Sequence, residues 1–460
     1  MALQDLPPEV SSLILGELFE HRNPHLDESR DNVQHICTAR LVCREWNSLA
    51  AVHLFRSIIL AYTDEEFKCW NGILDSPTRV INHARNVFIR TAPLDDHPEG
   101  IWNAWEEDVY NALLNATGRI AELENIDSLH LRFSRHCAGS EDEYPRDDVV
   151  ETIALRQQML DSVFKAMQQR YGNSGRSGRP IHSLTIENLQ NLPLPEFTSS
   201  SLFKEVTEHV NHLHLMVAEE DNEAGPDWDM YKVERREFEP SLHRQWLQPL
   251  SDHLVSLTLY FRTCWGSIPG YFDGEGLIFP KLKTLNLGNF VIGHHRQFDW
   301  VLNQPSLTSL RLDKCSIVSH ISISRENVDD WHVRTHDWDE YPEGSFGIYE
   351  GYMMYGFPGT WETIFDDIRT SLPNLTDFRF QNDDYSLVFP VRLELLSCEL
   401  SKKRYIGFDI SDWIEACVDS GEVEFGGFPD ASFNRSEETA LGDESALSAL
   451  QQAIRMRWEH

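Results

Sequence analysis

Pro280-Lys281-Leu282-Lys283-Thr284-Leu285-Asn286-Leu287 sets the organisation of the chain. The same spacing returns at Pro305-Ser306-Leu307-Thr308-Ser309-Leu310-Arg311-Leu312 and at Pro373-Asn374-Leu375-Thr376-Asp377-Phe378-Arg379-Phe380. In each segment the last two apolar residues stand two apart, which puts both on one face of a strand and the residue between them on the other. Without the proline the same signature recurs at 126–131, 181–186, 210–215 and 254–259, and 54–60 also has strand character. Helical periodicity fills the intervals at 106–118, 153–171, 296–302 and 360–372, the last with Thr360 as its cap. Alternating strand and helix predicts a parallel sheet with helices behind it.

The pattern L-x-x-L-x-L is similar to that of leucine-rich repeats, whose units each contribute one short parallel strand. In the unit ending at Leu312, Cys315 and Ile317 also fall where the Asn/Cys and the next Leu of that consensus belong, a feature the other units lack. Spacing is irregular: 25 residues separate Pro280 from Pro305, and 68 separate Pro305 from Pro373. A degenerate arc with insertions is therefore expected. Residues 139–148 and 219–229 are acidic, and 172–179 is a Gly/Ser/Arg loop. The stretch 325–359 mixes acid with Trp331, Trp338, Tyr341, Tyr349, Tyr352 and Tyr355, either as a recognition surface or as packing over the sheet end.

The first 55 residues read differently. Pro7 and Pro8 suit a first helical turn, and Val10, Leu13, Ile14 and Leu18 follow on one helical face. Residues 20–34 are polar and read as a loop, after which Ala39, Val42, Cys43, Trp46, Leu49 and Ala50 share a stripe. Two short amphipathic helices cannot bury both faces alone, so they need a partner.

Leu6-Pro7-Pro8-Glu9-Val10, Leu13-Ile14 and Leu18, then Arg40-Leu41-Val42-Cys43-Arg44-Glu45-Trp46 and Leu49-Ala50, resemble the F-box, with a longer and more charged connection than that family has. The whole chain resembles F-box proteins of the fungal type, which join this motif to a degenerate repeat region. The expected fold class is α+β overall: a small all-α F-box over 1–55, an α/β irregular leucine-rich-repeat-like solenoid over 56–430, and a tail over 431–460. In that tail Leu447, Leu450, Ile454 and Trp458 form one face of a capping helix begun by Asp443.

The resemblance implies a substrate-recognition subunit of a Skp, cullin and F-box ubiquitin ligase, without catalysis of its own. It implies that Leu6, Pro7, Leu13, Ile14, Leu18, Leu41, Val42, Cys43 and Trp46 face a Skp-type adaptor, and through it a cullin. A scaffold that binds the adaptor without ubiquitination, and a hydrolase of unfamiliar type, are the alternatives. The residue between the apolar pair of each strand marks a target-contact set: His130, Thr185, His214, Thr258, Asn286, Arg311 and Arg379.

Composition bounds the partners. A formal charge of −34, from 74 acidic and 40 basic residues, repels phosphate backbones and anionic headgroups, so neither nucleic acid nor membrane is expected. Eight scattered cysteines without a C-x-x-C pair point to reduced thiols. With no signal peptide and no apolar run near the roughly 20 residues that span a bilayer, the reading is a cytoplasmic or nuclear protein.

No cofactor or metal is expected. His332 and His336 could share a helical face like a metal pair, but no zincin Glu follows the first, and His294-His295 and Cys37/Cys43 with His35 lack ligand spacing. Gly172-x-x-Gly175-x-x-Gly178 precedes Arg179-Pro180 rather than a helix, and neither a P-loop nor a G-x-S-x-G elbow occurs.

Overall fold

Every repeated apolar pair becomes a short strand with both of its residues buried. The structure, a computed structural model, describes residues 7–20, 29–78, 80–92, 107–137, 139, 151–171, 178–219, 233–268, 270–343, 345, 351–381, 400–410, 414–417 and 435–458. The chain divides into two compact units. The first takes residues up to Glu141 with Arg146–Asn188 and Ser201–Val210, and the second takes mainly Leu189–Ser200 and Asn211 onward. The expected boundaries at 55 and 430 rest on a different criterion, motif and composition.

The first unit opens with three helices, α1 (Pro8–Glu20), α2 (Ser29–Ala39) and α3 (Arg44–Leu54). The sequence predicted two, with a loop over 20–34; α2 instead begins inside that polar stretch. The supposed single stripe is split, because Val42 and Cys43 lie in the turn between α2 and α3. Four strands follow, β1 (Ser57–Ala61), β2 (Asn86–Arg90), β3 (Ser128–Arg132) and β4 (Ser183–Gln190), paired in parallel in chain order.

Helices α4 (Asp64–Leu74), α5 (Glu107–Gly118) and α6 (Ile153–Gln168) occupy the crossovers that parallel pairing requires. Ile58, Leu60, Val87, Ile89, Leu129, Leu131, Leu184 and Ile186 are at most 3 % exposed. Burying each such side chain contributes about 1.5–3 kcal/mol before chain entropy is subtracted. Upstream of the pair in β2 the buried Ala84 stands where the other units have Leu, Ile or Val, which hides the L-x-x-L-x-L pattern there.

In the second unit β5 (His212–Ala218), β6 (Ser256–Trp265), β7 (Thr284–Ile292) and β8 (Ser309–Asp313) pair in parallel in order, and β12 (Asp377–Gln381) pairs parallel to β8. The remaining strands depart from the all-parallel expectation. From β9 (Ser316–Ser324), which runs parallel to the end of β7, the chain forms β10 (Asp339–Tyr341) and β11 (Tyr352–Gly356), which pair antiparallel to each other, with β11 also antiparallel to β9. β13 (Tyr405–Ile410) is parallel to β9, and β14 (Ile414–Cys417) is antiparallel to β13.

The aromatic insertion is thus partly sheet, and its tryptophans are core: Trp331 is 2 % and Trp338 9 % exposed. Packing, not a recognition surface, accounts for both. Tyr349, the acidic run 220–229, most of 139–148 and most of the Gly/Ser/Arg loop lie outside the described residues.

Three repeats share a backbone device. Asn188, Asn289 and Lys314, each two residues beyond its apolar pair, adopt left-handed φ of 62°, 58° and 51°. Asn tolerates this region better than most residues. Asn188 Nδ2 donates to Phe133 O (2.8 Å) and Asn289 Nδ2 to Phe261 O (2.5 Å), each satisfying a carbonyl of an earlier segment. The consensus search looked one place later, where only Cys315 matched.

The final helix, Ala440–Trp458, packs on the helix Trp361–Ser371, which Thr360 caps through Thr363 N. Asp443 does not cap the final helix, as the sequence suggested. It sits inside the first turn, fully buried, paired with Arg404 Nε at 2.9 Å and accepting from Glu362 N at 2.8 Å.

Candidate functional site

Among the described side chains of α1 the buried ones stand four residues apart, and Ser12 Oγ lies 3.1 Å from His53 Nε2. Ser11 and Leu15 face inward, with Leu15 at 0 % exposure joining Ile36, Ala39 and Ala50 in a small cluster that Trp46, Leu49 and Leu54 complete. Four buried aliphatic side chains leave little room for more. The stripe noted in the sequence is the outward one: Leu13 is 69 %, Ile14 40 % and Val10 38 % exposed.

The turn between α2 and α3 presents the rest. Leu41 N donates to Thr38 O and Val42 N to Ala39 O, and the Cys43 thiol caps α3 by accepting from Trp46 N at 3.4 Å. Arg40 Nε donates to Asn47 Oδ1 at 3.0 Å. With its backbone groups satisfied, the turn holds Leu41 at 85 % and Val42 at 63 % exposure. Large aliphatics held in water by an ordered backbone mark a contact surface.

Of the residues the resemblance assigned to the adaptor face, Pro7, Leu13, Ile14, Leu41, Val42 and Cys43 are exposed. Trp46 is only partly exposed and packs inward, so its first role is to hold the three helices together. Leu6 lies outside the described residues, as does the side chain of Leu18. Val10, on the helical face read from the sequence but outside the adaptor-facing set, is exposed too, as is Val52 at 41 %, which the sequence reading did not name. For Val10 the signal was its i, i+4 relation to Ile14.

The proposed target contacts fall into two strand registers. In the first unit Phe88, His130 and Thr185 stand opposite one another across β2, β3 and β4. His130 is buried, with Nε2 3.1 Å from Glu187 Oε2; burial lowers its pKa despite the carboxylate. In the second unit His214, Thr258, Asn286, Arg311 and Arg379 form one row across β5, β6, β7, β8 and β12.

Hydrogen bonds hold that row in two groups: His214 Nδ1 lies 2.8 Å from Thr258 Oγ1, which accepts from Asn286 Nδ2 at 3.0 Å, while Asp377 pairs with Arg311 and Arg379, both at 3.3 Å. Exposure grades along it, from Thr258 at 4 % and Asn286 at 7 % to the exposed Arg379. One step along, Gly288 admits the Tyr260 ring where a Cβ would lie 2.2 Å from it, and burial raises the pKa of neighbouring Asp313 to about 6.

His332 and His336 do not share a helical face. The helix Arg325–Asp330 ends before His332, whose φ of 53° breaks any shared helical face with His336. His336 instead lies beside His294, which is buried at 4 % exposure.

Comparison with known families gives one finding: residues 3–61 match the F-box-like family model. The match takes in α1, α2, α3 and β1. The chain therefore carries an F-box-like domain, the kind that binds Skp-type adaptors. No curated protein matches the chain. Among the described residues no helix is long and apolar enough to cross a membrane.

Proposed function

We propose that the chain is the substrate-recognition subunit of a Skp, cullin and F-box type ubiquitin ligase, working in the cytoplasm or nucleus. Residues 1–55 dock on the adaptor and through it engage a cullin. Residues 56–430 form a leucine-rich-repeat-like solenoid that holds a target protein, and 431–460 cap it. The chain contributes effective concentration, on the order of millimolar for a tethered target, while another subunit performs the transfer.

The observation that carries this reading is the exposure of Leu13, Ile14, Leu41 and Val42 on an ordered backbone within the F-box-like segment. Exposed apolar side chains held together on an ordered backbone mark a surface that a partner covers. For the target, the graded polar row from Thr258 to Arg379 supports a protein ligand approaching from the arginine end, where the side chains reach solvent.

The test is capture of a purified Skp-type adaptor by the full chain and by the double variant Leu13→Ala/Leu41→Ala. Both residues are largely exposed, so the fold is expected to survive. A loss of at least about 2 kcal/mol, roughly 30-fold in Kd, is expected. Unchanged capture sinks the reading. If the adaptor binds but a cullin never joins the complex, the chain is an adaptor-bound scaffold instead.

A further inference from the structure

Two segments 43 residues apart in sequence meet beside the end of β7. Trp338 Nε1 donates to Gly293 O at 2.5 Å, and His295 N donates to Asp337 Oδ2 at 3.1 Å. These two bonds fix the carboxylate of Asp337 with Oδ2 engaged by the backbone and Oδ1 turned toward two imidazoles. Oδ1 lies 2.6 Å from His294 Nδ1 and 3.9 Å from His336 Nε2. The two rings stack at 5.0 Å with an interplanar angle of 5°. One donor atom from each of the three residues lies within 4.8 Å of the others.

We propose that His294, His336 and Asp337 form a binding site for a divalent transition-metal ion, with zinc the best fit. Two imidazoles and one carboxylate are the donor set that borderline cations take, while calcium and magnesium prefer oxygen alone. Zinc bonds to N and O of about 2.0–2.2 Å set tetrahedral donors roughly 3.4 Å apart, so the ion would replace the hydrogen bond between His294 Nδ1 and Asp337 Oδ1, parting them slightly from 2.6 Å, while His336 moves inward. Its side chain is 69 % exposed, which gives both the freedom to move and an entry path for the ion, while those of His294 and Asp337 are 5 % and 18 % exposed.

The bond from His295 N to Oδ2 is the supporting contact that orients a ligating carboxylate. Arg334 opposes a cation here, but it lies 3.6 Å over the Tyr271 ring, and the acidic balance of the chain favours cations at large. Three protein ligands leave a fourth position for water or an incoming group.

The ion would clip residues 336–337 to the loop at 293–295. Tyr271, edge-on to His294, and Trp331, His332 and Arg334 line an adjacent cavity of about 300 Å³, so the clip would also stiffen one wall of that cavity.

The experiment uses the full chain, stripped with a chelator and titrated with Zn²⁺, with Co²⁺ absorbance as the spectroscopic probe. One equivalent should bind to the wild type, and amides of 332–338 should gain protection from hydrogen exchange. His336→Ala and Asp337→Asn should each weaken binding at least about tenfold and abolish that protection. His332→Asn, which keeps a residue suited to left-handed backbone, should bind as wild type. Because His336 is exposed, His336→Ala should leave the chelated protein's Tm unchanged, separating ligand loss from misfolding. No uptake by the wild type overturns the proposal. So does uptake that survives both His336→Ala and Asp337→Asn, since it then belongs to others of the 20 histidines, or equal loss in His332→Asn.

Discussion

The three N-terminal helices and the strands of the second unit use the same aliphatic residues in opposite ways. In β6, β7 and β8 the six leucines of the L-x-L pairs, from Leu257 to Leu312, are all 0 % exposed. In α1 and the turn before α3, Leu13, Ile14, Leu41 and Val42 range from 40 % to 85 %. Strand leucines are covered by the rest of the same chain. Those of the N-terminal helices have a core of four buried residues and, among the described residues, nothing further to cover them. Apolar area left in water at ordered positions is a sign of a partner outside the chain, whereas apolar area at repeat positions is a statement about the fold.

The packed side of this comparison breaks hardest at a charge. Asp443 is fully buried and held by Arg404 at 2.9 Å, and it also accepts from Glu362 N. Asp443→Ala leaves a buried guanidinium without its carboxylate, so unfolding free energy in urea should fall by about 3–5 kcal/mol. A drop below about 1 kcal/mol would mean that the final helix contributes little to the unit. Next comes Leu287→Ala, which opens a cavity in the core beneath β7 and should cost about 2–5 kcal/mol by the same measurement.

A smaller effect depends on pH. Glu239 is 4 % exposed and accepts from Gly266 N through both carboxylate oxygens, each at 3.2 Å. Burial raises its pKa from 4.5 to about 8, against the opposing pull of that backbone donor. Between these values the folded chain holds a proton that the unfolded chain has lost. Stability contributed by this group is therefore intact below about pH 4.5 and falls as pH rises toward 8, by at most about 1.4 kcal/mol per pH unit. Glu239→Gln keeps an acceptor for Gly266 N and removes the slope. Comparing urea midpoints at pH 5.5 and 7.5 in both proteins tests this, and an identical pH dependence would refute it.

How far this contrast could be read from sequence follows from its physics. The L-x-L spacing is a local signal, because strand period and burial act on adjacent residues, and it located β3 to β8 and β12. The strands from β9 onward were illegible because their pairing is set by tertiary contacts, with β9 serving β7, β11 and β13 at once. Motif resemblance located the exposed residues of the N-terminal helices but not their division of labour, since Leu41 and Trp46 look equally apolar in sequence. The meeting of His294 with His336 and Asp337 was hidden for a further reason. It is made by a left-handed turn at His332 and an indole bond across 45 residues, and neither leaves a spacing that a motif search can find.

The least stability change should come from the residue that matters most for docking. Leu41 makes its backbone bond to Thr38 O whatever its side chain, and 85 % of the residue's surface is already in water. Truncation to alanine removes almost no buried area, so unfolding free energy should stay within about 0.5 kcal/mol of wild type. Trp46→Ala, five residues away in the same motif, should cost more than about 1 kcal/mol, because its ring packs on Leu15, Ile36, Ala39 and Ala50. Adaptor capture should fail in both variants, but only Trp46→Ala should also broaden or lower the thermal transition. If Leu41→Ala proves as destabilising as Trp46→Ala, then the turn is part of the core, and the apolar surface ascribed to a partner belongs to the fold.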